Sequence, residues 1–334
     1  MDAALLCAVE EAYELAISDL GRLPGGHIHD VWAAASRRGP VVLKRYRGVS
    51  PDQLLRSLEV QQAAHRAGLP VPAVIPNARG GLAAETPAGW VTVQVRAPGS
   101  HRETGRFTLA LAESTGRALG RLHRALAGLA RSGLAGAPAA PDPDEVRREC
   151  EAWLDRLRSV ADPDEWDLLA VEEAEYRLRL LPRHTLRPAE EAVEEAQWTH
   201  GDFYPGNLLY DERDQVTAVL DWDFAAFRPP GGEVARAAFE VARSGPGKLD
   251  RGRFDAFLAA YAAEVPLTAD QRALMFRRLF FHQLSVLYPL ALRRLSGAAL
   301  PAGWQALARR RYEIVREIEQ SLDMLTEWAL ASNR

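Results

Sequence analysis

The chain has 334 residues, 47% of them apolar and 26% charged, with a formal net charge of −4. It is long and apolar enough to bury a sizeable core in one large or two modest domains, which excludes general disorder. Acids and bases are mixed throughout, so no basic nucleic-acid footprint exists; Cys7 and Cys150 cannot form a disulfide framework, no Cys/His cluster has zinc spacing, and a reducing cytoplasm is the default setting.

The N-terminal stretch lacks a basic segment and soon meets Glu10, Glu11 and Glu14, so it does not read as a signal peptide. No run of about 18 apolar residues marks a membrane span. Residues 2–20 show apolar positions at helical spacing, which predicts a helix ending near Gly21. A turn then enters a strand from Leu23 to about Ala34. Arg37-Arg-Gly-Pro40 reads as a hairpin turn, and Val41–Tyr46 as the return strand. Ser50 and Pro51 supply an N-cap and a first-turn proline for a helix to about Ala67, stopped by Gly68-Leu-Pro-Val-Pro72. Strands are expected at 81–85 and 90–95, and Ala97-Pro-Gly99 breaks the pattern.

The remainder reads as mostly helical. Helices are predicted at 108–129, 144–160, 163–181, 188–197, 232–243, 250–263, 268–295 and 303–331. Residues 127–144 read as an exposed connection, and 198–224 as a short β-rich interruption. No internal repeat of fixed period occurs.

Of the 41 basic residues only two are lysine, Lys44 and Lys248. A chain that uses arginine wherever a generic charge serves keeps lysine where a compact ammonium is needed, which raises the prior for Lys44.

The informative segment runs from Trp198 to Ala225. Asn207–Tyr210 is one strand, Asp211–Gln215 a polar turn and Val216–Leu220 the return strand. In this hairpin Tyr210 is expected to face Val216, and Asn207 to face Val219, with Asp221 one step beyond at the same open end. The loop 200–206 brings Asp202 to that end. Two carboxylates and a carboxamide thereby converge, as a hard cation such as magnesium requires. The plain alternative is a hairpin with solvated Asp and Asn in its turns. It accounts for Asp211, Glu212 and Asp214 but poorly for Asp221, which lies in an apolar stretch. On geometry alone the two readings stand level.

The run His200-Gly-Asp-Phe-Tyr-Pro-Gly-Asn207 followed by Leu220-Asp-Trp-Asp-Phe224 resembles the catalytic loop and metal motif of the aminoglycoside phosphotransferase and choline kinase-like superfamily, the small-molecule branch of the protein-kinase fold. Val41–Lys44 resembles its third strand with the ATP lysine, and Glu59 the helix glutamate that pairs with it. Gln94–Gly99, including Arg96, lies where the interlobe hinge falls. Leu119–His123 and Phe254–Tyr261 resemble helices of the second lobe. The resemblance implies an α+β, protein-kinase-like bilobal fold. A small β-rich ATP-binding lobe with one key helix spans 1–98, the hinge about 94–99, and a large mainly helical catalytic and substrate-binding lobe 99–334.

The resemblance also implies the roles. Asp202 orients the acceptor hydroxyl and takes its proton, and His200 fixes the loop. Asn207 and Asp221 hold magnesium on the nucleotide phosphates. Lys44, placed by Glu59, contacts the phosphates of ATP, and Gln94 and Arg96 belong to the nucleotide site. The implied partner is a small-molecule hydroxyl acceptor for the γ-phosphate, with no nucleic acid and no membrane. The protein is then a cytoplasmic monomer or weak homodimer.

The chain departs from protein kinases in having no G-x-G-x-x-G loop, only Gly25-Gly26 before His27-Ile-His-Asp30, and no Ala-Pro-Glu segment after Asp221. It also lacks a P-loop. Asp223 is read as a cap for the next turn in preference to a further metal ligand, His27 and His29 as loop residues, His123 and His282 as satisfied core histidines, and Arg309–Arg311 as a solvated helix face. The competing reading is a kinase-like nucleotide-binding or structural protein without turnover, comparable to those of bacterial spore coats. The acceptor's identity is not legible; Asp255, His282 and Tyr288 are its candidate contacts.

Overall fold

The computed structural model describes residues 1–23, 29–103, 107–129, 142–286 and 304–332. The loop at Gly25–Ile28, most of the connection 127–144, the end of the helix expected at 268–295 and Tyr288 lie outside them.

The first helix, α1 (Ala3–Tyr13), is capped by Asp2 and ends with Glu14 in the left-handed region at φ 47°. The helix expected to reach Gly21 is therefore shorter. Ile17–Arg22 instead form strand β1, paired antiparallel with β2 (Asp30–Ser36). The burial pattern of β1 does not alternate, and it is the pairing with β2 that overrides the helical spacing of this segment. β3 (Val41–Arg45) returns along β2, and β6 (Gly89–Val95) along β3, placing Lys44 opposite Thr92. β4 (Val74–Ile75) and β5 (Ala84–Thr86) both pair with β6. The sheet has six antiparallel strands in the order β1-β2-β3-β6-β4, with β5 beside β6.

Val41, Leu43, Val91 and Val93 share one face of this sheet and pack against Leu5, Val9 and Tyr13 of α1. The alternation of strand side chains sends Lys44 to the opposite face. The helix α2 (Pro51–Arg66) starts at Ser50, whose side chain caps Gln53 N–H, and its Leu54 and Leu58 pack on Tyr46.

A helical region follows: α3 (Leu109–Ala127), α4 (Pro143–Arg158), α5 (Glu165–His184), the short α6 (Pro188–Glu191), α7 (Gly231–Ala242), α8 (Arg251–Glu264), α9 (Ala269–Ser285) and α10 (Trp304–Ala331). α6 stops well before the expected residue 197. Trp198, Phe203, Phe239, Phe254, Phe257, Phe276 and Phe280 form its apolar centre. α3 and α8 approach so closely that a Cβ on Gly116 would lie 2.1 Å from the Phe257 carbonyl.

The β-rich interruption is two small sheets, β7 (Gln197–Thr199) with β10 (Ala226–Arg228), and β8 (Leu208–Tyr210) with β9 (Val216–Val219). Tyr210 faces Val216 as the spacing predicts, but Leu208, not Asn207, faces Val219. The cause is a bulge: Thr217 is extra, and its hydroxyl donates to the Pro98 carbonyl at 2.8 Å. Asn207 stays at the open end, its carbonyl accepting from Leu220 N–H at 2.8 Å. The hairpin β11 (Arg243–Gly245) and β12 (Lys248–Leu249) was not expected.

Candidate active site

The loop between β7 and β8 is shaped from below. Gly201 has φ +86°, and a Cβ there would lie 1.8 Å from the Phe224 carbonyl, so only glycine fits. His200 is buried; its Nδ1 accepts from Asp202 N–H at 3.1 Å and its Nε2 donates to the Leu220 carbonyl at 2.9 Å. That pair of bonds ties the loop to the far strand of the hairpin and selects the Nε2–H tautomer. Phe203 and Trp222, both buried, anchor the two sides. Pro205–Asn207 make one 3₁₀ turn that presents Asn207 back toward Asp202.

Glu233 of α7 holds the same loop. Its carboxylate accepts from the amides of His200 and Gly201 and from His123 Nε2 at 2.8 Å, while His123 Nδ1 meets the Tyr261 hydroxyl at 2.9 Å. Burial pushes the Glu233 acid up, but the His123 hydrogen bond and the nearby Arg228 guanidinium outweigh it and hold it at about 2. His123 is thus a satisfied core histidine with a supporting task. Arg228 donates to the Gly201 carbonyl at 2.9 Å.

Asp202 is thereby fixed and doubly engaged. Its Oδ2 accepts from Asn207 Nδ2 at 2.7 Å, and its Oδ1 is ion-paired with Arg236 of α7. Asp221 has φ 63°, a left-handed conformation uncommon outside glycine but tolerated by aspartate. Lys44 Nζ reaches across from the sheet to Asp221 Oδ1 at 2.7 Å and Asp223 Oδ2 at 2.6 Å. Asp223 Oδ2 also accepts from His29 Nε2 at 3.0 Å.

These contacts set the charges. Burial works against the Lys44 cation, yet Tyr46, Asp223 and Asp221 more than offset it and raise the ammonium's pKa. Burial likewise pushes Asp223 up, and Lys44 with His29 overcomes it and holds the carboxyl well below its usual range. Asp221, 43% exposed, moves the other way. Protein crowded around its carboxyl and the charges of Asp223 and Asp202 raise it, against the pull of Lys44.

The structure brings together Lys44, Asp202, Asn207, Asp221 and His200. It does not bring Glu59 to Lys44. Glu59 is exposed, because α2 turns Leu54, Leu58 and Gln61 inward and leaves position 59 on its outer side. The carboxylate expected from the helix comes instead from Asp223, which is no surface cap. Gln94 is half-buried, its Oε1 accepting from Gln61 Nε2 at 3.1 Å, and Arg96 is exposed just beyond, its amide bonded to the Pro40 carbonyl. Sequence reading also missed His29, Glu233 and Arg236; the last two follow the motif on α7 with no spacing signal of their own.

The donor set suits a hard cation that takes few protein ligands. Asn207 Nδ2 is committed to Asp202, which leaves its Oδ1 for a cation, and Asp221 shares the single Lys44 ammonium with Asp223. Among the described residues no group of three His, Cys, Asp or Glu side chains is placed to cage a metal. A magnesium site that keeps water and phosphate ligands needs none. No described helix is long and apolar enough to cross a membrane.

Residues 19–272 match the family model described as the phosphotransferase enzyme family. A probable choline kinase of Arabidopsis thaliana is 27% identical over 90 residues, a match spanning 27% of this chain and 25% of that relative's length. The fold is shared with an amicoumacin kinase in complex with AMP-PNP, Ca²⁺ and its ligand, at TM-score 0.67 and 16% identity, covering 95% of this chain and 92% of that one. A spectinomycin phosphotransferase in complex with ADP and spectinomycin gives TM-score 0.66 at 14% identity, covering 98% and 97%. A microcompartment-associated aminopropanol kinase gives 0.63 at 18% identity, covering 96% and 98%.

Proposed function

Since the chain belongs to the phosphotransferase enzyme family, we propose that it transfers the γ-phosphate of ATP to a hydroxyl of a small molecule. The observation that carries this reading is the convergence of Lys44, Asp202, Asn207 and Asp221, with Asn207 bonded to Asp202 at 2.7 Å and Lys44 to Asp221 at 2.7 Å.

In this reading ATP enters between the sheet and the β8–β9 hairpin, beside the hinge at about 94–99 where Gln94 and Arg96 lie. The lobes are residues 1–98 and 99–334. Lys44 turns from its two aspartates to the phosphates, and Asp223 with His29 keeps its stem in place. Asn207 Oδ1 and Asp221 are the ligands for magnesium, which when bound would neutralise phosphate oxygens. Asp202 Oδ1 and Oδ2, aligned by Arg236 and Asn207, orient the acceptor hydroxyl and take its proton. The acceptor oxygen bonds to the γ-phosphorus as the bond to the β–γ bridging oxygen breaks, and ADP leaves. His200 acts by holding Asp202's amide; it does not touch the reacting atoms. The reading places the protein in the cytoplasm, as a monomer or weak homodimer with no nucleic-acid or membrane partner.

The test is acceptor-dependent release of ADP across a panel of alcohols, wild type against Asp202→Ala. The variant is expected to lose about 10²–10⁴-fold of the rate while still binding an ATP analogue. Equal rates on every acceptor would remove the enzyme reading in favour of a nucleotide-binding protein of the same fold.

A further inference from the structure

The face of the sheet that carries Lys44 is not evenly covered. Strand pairing sets Val31 opposite Lys44, Ala33 opposite Val42 and Val42 opposite Gln94, so these side chains share that face. Tyr46, two residues beyond Lys44, packs on Leu54 and Leu58 of α2 and closes one end. In the other direction Val31, Ala33 and Val42 are half-buried and belong to no apolar cluster of the described residues. They form an apolar strip with the Lys44 ammonium at one end. The Gln94 carboxamide stands at the other, two residues or about 7 Å further along the strands.

Gln94 is set in one orientation. The buried Gln61 of α2 donates from Nε2 to the Pro72 carbonyl at 2.9 Å, which fixes that atom as nitrogen because a carbonyl only accepts. The same nitrogen donates to Gln94 at 3.1 Å, so the Gln94 atom it meets is the amide oxygen. The amide nitrogen of Gln94 has no partner among the described residues. The backbone N–H groups of Val95 and Arg96 are already bonded to the Ala73 and Pro40 carbonyls, at 2.9 and 3.0 Å. Gln94 is therefore set to give hydrogen bonds to a ligand on the strip rather than to take them.

We propose, resting on the phosphotransferase reading, that the nucleotide lays its base on Val31, Ala33 and Val42 with its phosphates at Lys44, and that Gln94 selects the base, favouring a 6-oxopurine over adenine. An apolar strip with one polar group at its edge suits a flat ring held in one orientation. Guanine and hypoxanthine carry an oxygen at position 6, which accepts from the Gln94 N–H. Adenine carries an amino group there, which sets donor against donor. The phosphate is then drawn from GTP or ITP in preference to ATP, and Lys44, Asn207 and Asp221 keep their roles.

Equilibrium binding of ADP, GDP and IDP, each with magnesium, tests this without turnover. Wild type is expected to bind GDP and IDP about tenfold tighter than ADP, the worth of one hydrogen bond made against one donor left facing another. IDP lacks the 2-amino group of GDP, so equal binding of the two assigns the preference to position 6. Gln94→Glu exchanges the free amide nitrogen for an acceptor and is expected to turn the order in favour of ADP. Gln94→Leu is expected to bring the three together. ADP bound by wild type as tightly as GDP and IDP, GDP favoured without IDP, or an order unchanged in both variants overturns the proposal. The two readings fail separately. If GDP and IDP are preferred through Gln94 but no alcohol takes phosphate from GTP or ATP, the phosphotransferase reading falls and the base selection stands. If phosphate is transferred but ADP binds best, the base selection falls alone. Binding of no nucleotide overturns it as well.

Discussion

Glu233 lies 33 positions from His200 in the chain, yet it receives hydrogen bonds from the His200 amide, the Gly201 amide and His123. A buried carboxyl that ionises at about 2 in the fold and at 4.5 in the unfolded chain contributes on the order of 3 kcal/mol of stability. Because the folded value is the depressed one, that contribution is fully present above 4.5 and is lost as pH falls toward about 2. Urea denaturation from about pH 6 to about pH 3 should show wild-type stability dropping as pH falls, with a flatter slope for Glu233→Gln; parallel slopes would deny Glu233 this part. The residues proposed to react were legible in the sequence, because Asp202, Asn207 and Asp221 lie close together in the chain around one hairpin. The residues that hold them were not, because Glu233, Arg236 and His29 become neighbours only through tertiary contacts. Asp223 was misread for the same reason: its partner Lys44 is 179 positions away.

Local pattern located most elements well where it was unambiguous. Ser50 and Pro51 begin α2, Thr108 caps α3, and the Arg37–Pro40 turn joins β2 to β3. It failed where neighbours decide. β1 owes its strand form to β2, and β4 is two residues whose strand pairing is with β6. The bulge at Thr217 belongs to a contact with Pro98. The α3–α8 seam is the clearest case of packing at this scale. Gly116→Ala would drive a Cβ to 2.1 Å from the Phe257 carbonyl, whereas a Cβ on Gly128 has nothing within 4 Å. Overpacking of this kind costs about 1–3 kcal/mol, so Gly116→Ala should lower the denaturation midpoint and Gly128→Ala should not. Equal midpoints would show that the helices can separate without cost.

Across the whole molecule, Lys44 from the sheet and Asp221 and Asp223 from the hairpin join the β-rich and helical parts through 2.7 and 2.6 Å contacts. Nucleotide binding is expected to replace those contacts, with Asp221 released to a cation. AMP-PNP with magnesium at a hundredfold its Kd should stabilise the protein by about 2.7 kcal/mol. Withdrawal of magnesium, or Asp221→Asn, should remove most of that gain in a thermal-shift titration. A gain indifferent to both would argue against Asp221 as a metal ligand.

By itself the amino-acid sequence determined the class of the fold and brought together the residues on which the proposed chemistry rests. Asp202, Asn207 and Asp221 are close in the chain, and their order and spacing survive any detail of packing. Only the tertiary structure decided what surrounds them. Asp223 takes the place by Lys44 expected of Glu59, Glu233 stands beneath the loop, and Arg228 of β10 and Arg236 of α7 bond to the Gly201 carbonyl and to Asp202. Charge balance in a buried site is a sum over groups far apart in sequence, and folding alone brings its terms together.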